Sequence, residues 1–262
     1  MEAIATRGIA LPGGRRAGAP PRQLLRDVSA DRGACPNCNL LRLCVPVGFE
    51  PDVRQLVDQL VAKRMRLRKG DTLFRPGERF TTLYAIRLGS CKTVLLAEDG
   101  RDQVSGYHMA GDIIGTDGIA RELHECQAIA LEDTEVCAIP FARVEELSRA
   151  SLQVLRNVHR MLATEIARDR HVMLMLGTMR ADQRLAAFLL DLAQRYHARG
   201  YSSSEYVLRM TRDEIGSYLG LKLETVSRLL SRMHRDGLIQ VQGRTIKLLD
   251  PVGLKSLVET SQ

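Results

Sequence analysis

Three cysteines fall within ten residues near one end of the chain, in the run CPNCNLLRLC: Cys35, Cys38 and Cys44, spaced C-x2-C-x5-C. A two-residue gap turns two thiolates toward one centre, and the longer gap carries the chain round to a third corner. Three thiolates near one point repel one another unless a cation holds them, so the spacing points to a metal centre. An all-cysteine site needs a fourth ligand. The candidates are Cys91, Cys126 and Cys137, and spacing does not choose among them. It also leaves zinc and an iron–sulfur cluster level, since four thiolates suit both. The bland alternative, small buried hydrophobes, fits poorly with so dense a run and with Pro36 between the first two cysteines.

A second constellation lies in TRDEIGSYLGLKLETVSRLLSRMHRDG. A helix-turn-helix needs a small residue where its two helices pack closely and a left-handed residue at its turn. Gly216 and Gly220 occupy those places, and Ile215, Leu219, Leu221, Val226 and Leu229 supply apolar locks. Thr211 followed by Arg-Asp-Glu predicts an N-cap, with Glu214 completing a capping box. The second helix is expected from about Lys222 to Arg235, with Glu224, Ser227 and Arg228 on its exposed early face. Arg bonds two acceptors on guanine, and Glu accepts from a cytosine amino group. A carboxylate beside phosphates is costly unless it reads a base, so Glu224 favours base reading over plain charge attraction. Thr211 and Arg212, at the start of the first helix, are further DNA-binding candidates. Residues 209–247 hold eight Lys/Arg against four Asp/Glu, a net of +4, which supports phosphate contact. An ordinary helical hairpin with solvated charges is the competing reading; the hairpin pattern that follows, LIQVQGRTIKLL, fits a wing and weighs against it.

These residues must be positioned by three different textures. Residues 1–34, rich in Gly, Ala, Pro and Arg, read as a disordered tail. Residues 35–48 form the cysteine segment, and FEPDVRQLVDQLVAKRM (49–65) reads as a helix with Val53, Leu56, Val57, Leu60 and Val61 on one face. From about 65 to 140 short apolar runs alternate with turn signals: LYAI (83–86), KTVLL (92–96), QAIAL (127–131) and EVCAI (135–139) read as strands of an antiparallel barrel or roll. Residues 143–180 are helical in pattern. Leu155, Val158, Leu162, Asp169, Val172 and Leu176 fall on an approximate heptad seam, with Asp169 its polar intruder. RLAAFLLDLAQRY is amphipathic and opens the last texture. The resulting division is a tail (1–34), a cysteine segment (35–48), a β-roll domain (49–150), a dimerisation helix (151–180) and a DNA-binding domain (181–262).

Composition sets the outer limits. The chain has 262 residues, a net charge of +7, 45% hydrophobic residues and six cysteines. The basic balance points to an anionic partner, nucleic acid first. No apolar stretch reaches the roughly 18 residues of a membrane helix, and no apolar leader core opens the chain. A cytoplasmic location is therefore expected, with thiols kept reduced. No nucleophile–base pair or phosphate loop argues for an enzyme.

Taken together, these parts resemble the Crp/Fnr superfamily, and within it the Fnr branch, the fumarate and nitrate reduction regulators. The resemblance runs from about Cys35 to Leu249. It is carried by the cysteine run, TLFRPGE (72–78), LYAIRLGS (83–90), VCAIPF (136–141), RLAAFLLDL (184–192) and MTRDEIGSYLGLKLETVSRLLSR (210–232). It implies an α+β fold: a cupin-like antiparallel β-roll, a long dimerisation helix and a C-terminal winged helix-turn-helix. It also implies an oxygen-labile [4Fe–4S] cluster on Cys35, Cys38, Cys44 and Cys137, leaving Cys91 and Cys126 as spare thiols. The family's E-x-x-S-R readers land on Glu224, Ser227 and Arg228, and the implied target is an inverted repeat of TTGAT-like half-sites in double-stranded DNA. A homodimer is implied in which Asp169 opposes association through like-charge repulsion until the cluster repositions Ile166 and its helix. RNA polymerase is an implied partner, with EDGR (98–101) a contact. Relatives that bind cyclic AMP carry Gly-Glu and Arg-Ser pairs in the roll. Here GDIIGTDGIARELHECQA has no Arg-Ser pair and offers Asp112 in place of Glu, which argues against a nucleotide.

Overall fold

The computed structural model describes residues 26–27, 60–96, 100 and 102–259. The run Cys35–Cys44 and most of the helix expected over 49–65 lie outside them.

Five strands, β1 (Arg26–Asp27), β2 (Lys63–Leu67), β4 (Thr82–Leu88), β7 (Ile113–Ile114) and β9 (Thr134–Pro140), form one sheet in the order β1-β2-β9-β4-β7. Four more, β3 (Thr72–Phe74), β5 (Ser90–Leu96), β6 (Asp102–Met109) and β8 (Gln127–Ala130), form a second in the order β3-β8-β5-β6. All neighbours are antiparallel. The inward faces meet in a core of Met65, Leu67, Phe74, Ile86, Ile114, Val136 and their neighbours.

Two expectations are corrected here. The helix read through 49–65 overruns, because Lys63–Leu67 is a strand. Met65 and Leu67 enter the core while Arg64 and Arg66 alternate with them, a period of two that a helical count misses. The tail is not structureless throughout: Arg26 and Asp27 pair with Arg66 and Met65. That pairing occupies backbone groups that the outer edge of β2 would otherwise leave open.

The helical stretch expected over 143–180 is broken once. Helix α1 (Phe141–Ala150) stops at Ser151, whose backbone is extended at φ −139° and ψ 113°. Ser151 then starts helix α2 (Leu152–Thr178), its Oγ accepting a hydrogen bond from the Val154 N–H at 3.4 Å, as an N-cap should. Helix α3 (Ala181–Ala198) leads into helices α4 (Arg212–Leu219) and α5 (Leu223–Arg235). The predicted wing is β11 (Ile239–Gln242) and β12 (Thr245–Leu248). A third strand, β10 (Glu205–Val207), joins β12; three residues are too few to show alternation in sequence. A last helix, α6 (Pro251–Glu259), packs on α3. One hydrophobic cluster runs from Val94, Val104, Tyr107, Met109 and Leu131 of the roll into Leu185, Leu189, Ile215, Leu219 and Leu230, so the C-terminal unit is seated on the roll. Among the described residues, no helix is long and apolar enough to cross a membrane.

Candidate nucleic-acid interface and cluster site

The helix-turn-helix is built as its residues require. Thr211 Oγ1 accepts from the Glu214 N–H at 3.2 Å, and Glu214 Oε2 accepts from the Thr211 N–H at 2.6 Å. Glu214 does a second job: its other oxygen meets Lys92 Nζ of β5 at 2.6 Å, tying the cap to the roll. Burial alone would raise its carboxyl, but the bonds from Lys92 and Thr211 hold it below the usual value. Gly216 is needed because a Cβ there would stand 2.6 Å from the Leu221 carbonyl oxygen. Gly220 turns the chain with φ +63°, a conformation that costs other residues about 1–2 kcal/mol.

Val226, Leu230 and Met233 bury one face of α5. Glu224 and Arg228 are exposed on the other and Ser227 is half-buried beside them. Arg212 reaches across from α4 to the Ser227 Oγ at 3.3 Å, so Thr211, Arg212, Glu224, Ser227 and Arg228 share one surface. Lys222, Arg232, Arg235, Arg244 and Lys247 are exposed on the same unit. Such a surface can set a helix N-terminus against base edges with cations beside it for phosphates.

Along α2 the expected seam divides. Leu155, Val158, Leu162 and Leu176 are half-buried, while Ile166 and Asp169 are exposed. Heptad spacing also places Glu165 on this seam, between Leu162 and Asp169, a second carboxylate that the sequence reading passed over. Leu162, Glu165, Ile166, Asp169 and Val172 line a cavity of about 410 Å³ between α2 and the roll, together with roll residues such as His108. Burial raises the Glu165 carboxyl despite Arg168, and burial also raises that of Asp169. The large apolar side chains left uncovered are Leu152, Ile166, Met173 and Leu174. On helical spacing Ile166 and Met173 lie about a quarter turn from the seam, whereas Leu174 lies nearly opposite it. The offset arises because the seam residues already face their own roll.

Asp112, noted in sequence for standing in place of Glu, is engaged elsewhere. Its carboxylate takes Arg195 at 2.7 Å and Arg199 at 2.8 Å, both from α3, with Arg168 of α2 at 3.8 Å. Burial would raise this carboxyl, yet the three guanidinium groups outweigh it and hold it low. Arg195 and Arg199 also donate to the Tyr107 and Ala110 carbonyls. Arg184 is a second unforeseen connector: it donates to the carbonyls of Leu176, Met179 and Leu219, joining the end of α2 to α4. Nothing in local spacing announces these arginines, whose partners stand 35 to 89 positions away in most cases.

The three described cysteines differ in environment. Cys91 and Cys126 belong to the roll core. Burial pushes the Cys91 thiol up to about 12 and raises that of Cys126 as well. Cys137 leaves β9 on the other face: its neighbours Val136 and Ala138 enter the core and it does not. Cys35, Cys38 and Cys44 lie outside the described residues, and among the described residues alone no three potential ligands converge.

A roll followed by a long helix and a winged helix defines a class of DNA-binding transcription regulator. Residues 183–257 match the Crp-like helix-turn-helix domain, and residues 64–151 the cyclic nucleotide-binding domain. The chain is 44% identical to the transcriptional regulatory protein btr of Bordetella pertussis, over 88% of this chain and 96% of that one. It is 38% identical to the anaerobic regulatory protein of Aggregatibacter actinomycetemcomitans, over 87% and 89%. The solved structure of FixK2 from Bradyrhizobium japonicum matches with a TM-score of 0.71 and 32% identity, covering 78% of this chain and all of that one. The chain therefore belongs to the Crp/Fnr family of transcription regulators, with a helix-turn-helix domain that indicates DNA binding, and its relatives are regulators, not enzymes.

Proposed function

We propose that this chain is an oxygen-responsive, anaerobic regulator that holds a [4Fe–4S] cluster on Cys35, Cys38, Cys44 and Cys137, dimerises and binds palindromic TTGAT-like sites. One observation carries the cluster reading. Of the described cysteines, Cys137 alone points away from the roll core, while Cys91 and Cys126 are enclosed in it. Cys137 leaves the sheet on the face away from the core, directly opposite Arg64, which supports reading it as the fourth thiolate. The name of the anaerobic relative supports the same reading. When bound, such a cluster supplies an oxygen-labile centre tied to four thiolates.

The chain's own residues do the rest. Glu224, Ser227 and Arg228 read base edges, while Thr211 and Arg212 hold the recognition helix and the adjoining backbone. Ile166 and Met173 offer apolar surface to a second copy along α2, beside Leu155, Val158, Leu162 and Leu176. Asp169 opposes that association, because two carboxylates facing each other in a partly dry interface repel. Two half-sites one helical turn apart need two correctly spaced recognition helices, so pairing governs DNA affinity. RNA polymerase is a further partner, reached in part through the loop at 98–101, and the site of action is the cytoplasm. A cyclic nucleotide is disfavoured, since Asp112 is already held by Arg195 and Arg199.

Anaerobic purification followed by iron, sulfide and zinc assays tests the cluster. About four irons and four sulfides per chain are expected, with loss of both in Cys137→Ser. A colourless protein carrying stoichiometric zinc would sink the reading.

A further inference from the structure

Helix α4 rests on β5 and β6 of the roll through apolar and polar contacts together. Val94 and Val104 share one hydrophobic cluster with Ile215 and Leu219. On β5, Lys92 stands two residues before Val94 and so on the same face, and its Nζ meets Glu214 Oε1 at 2.6 Å. β6 is an edge strand, and Ser217 Oγ accepts from its Val104 N–H at 2.8 Å. Glu214 and Ser217 are three residues apart, neighbours on one helix face, so both polar ties leave α4 toward the roll. The ion pair is largely shielded: the Lys92 side chain is 16% exposed and that of Glu214 19%. Apolar contact is non-directional and would let α4 swivel on the strands, whereas a charge-assisted bond fixes a direction. The carboxylate that Lys92 holds also closes the cap at Thr211. The next residue, Arg212, donates to Ser227 of α5, so a short path joins β5 to the recognition helix.

We infer that Lys92 is a positioning residue for DNA reading: it locks α4, and with it the recognition helix, at one angle to the roll, and so restricts the half-site spacing that a pair of chains accepts. This rests on the proposed reading of two half-sites by two copies paired along α2. One more base pair between half-sites shifts the second by about 3.4 Å and turns it by roughly 36° about the duplex axis. A recognition unit free to swivel follows such a change, and one bonded to its roll does not.

The experiment measures DNA binding by fluorescence anisotropy for the full wild-type chain, Lys92→Met and Lys92→Arg, all purified without oxygen. The duplexes carry one TTGAT half-site, or two at the best spacing and at spacings one base pair shorter and longer. In Lys92→Met the affinity ratio between best and altered spacings should fall about two- to fivefold, the scale of a partly exposed ion pair. Its affinity for the single half-site should stay at the wild-type level. Lys92→Arg keeps the charge and should keep the wild-type ratio. Lys92→Gln takes the place of Lys92→Met, under the same criteria, if the latter does not fold. An unchanged ratio without the charge would overturn the inference and leave the paired reading intact. So would equal weakening on every duplex, the single half-site included, with a shallower salt dependence, which would make Lys92 a phosphate contact. A wild-type chain that binds two half-sites no tighter than one would overturn the paired reading and this inference with it.

Discussion

Glu224 and Arg228 are separated by one helical turn, both exposed, with Ser227 between them bonded to Arg212. Their chemistry separates two kinds of loss. Arg228 can bond a guanine twice, so Arg228→Ala should cost about 1–3 kcal/mol of specific binding and relax selectivity at one base. Glu224 repels phosphates, so Glu224→Ala should lower discrimination while leaving non-specific binding equal or tighter. Fluorescence anisotropy on duplexes with single base changes in the half-site measures both. Uniform weakening on every duplex for both variants would mean that neither side chain reads a base.

At the scale of elements, α2 divides its surface between its own roll and open solvent. Glu165 and Asp169 line the cavity, and burial raises both carboxyls. A raised carboxyl marks a charge held where charge is unwelcome, and a second copy along α2 would dry Asp169 further. Asp169→Ala should therefore raise the dimer fraction in air, as sedimentation velocity would show. A variant that stays monomeric in air would remove Asp169 from the control of pairing. α4 also serves two partners: its capping box orders the helix-turn-helix, while Glu214 and Ser217 bind the roll through Lys92 Nζ and the Val104 N–H.

At the scale of the molecule, Asp112 joins three parts: the roll that carries it, α2 through Arg168, and α3 through Arg195 and Arg199. Breaking such a buried set by removing one member strands the others. Asp112→Asn should cost roughly 3–5 kcal/mol at pH 7 in urea unfolding. The pH dependence has a definite sign. The folded carboxyl is held low, so its contribution is complete above the unfolded value of about 4 and fades as pH falls through the folded one. The gap between wild type and Asp112→Asn should thus be full at pH 7 and close below about pH 4. A gap that does not narrow in acid would mean that the charge of Asp112 contributes nothing.

The sequence by itself determined whatever depends on near neighbours along the chain. The capping box of Thr211 and Glu214, the close approach at Gly216, the left-handed turn at Gly220 and the alternation in the roll strands are local constraints, legible as residue types at fixed spacing. It also carried the family likeness, through motifs that keep their order. Where two local patterns overlap, as at 63–67, period two won because Met65 and Leu67 had a core to enter. Tertiary structure alone decided which distant groups meet. It placed Asp112 in the grip of Arg195 and Arg199, set Arg184 between α2 and α4, turned the α2 seam toward its own roll, and put Cys137 on the opposite face of its sheet from Val136 and Ala138 while enclosing Cys91 and Cys126 in the roll core. Those outcomes depend on sheet register and helix docking, which bring together side chains that no spacing relates. The three clustered cysteines were plain in sequence; the face of the sheet on which Cys137 stands, with Arg64 opposite, was set by the pairing of β2 with β9.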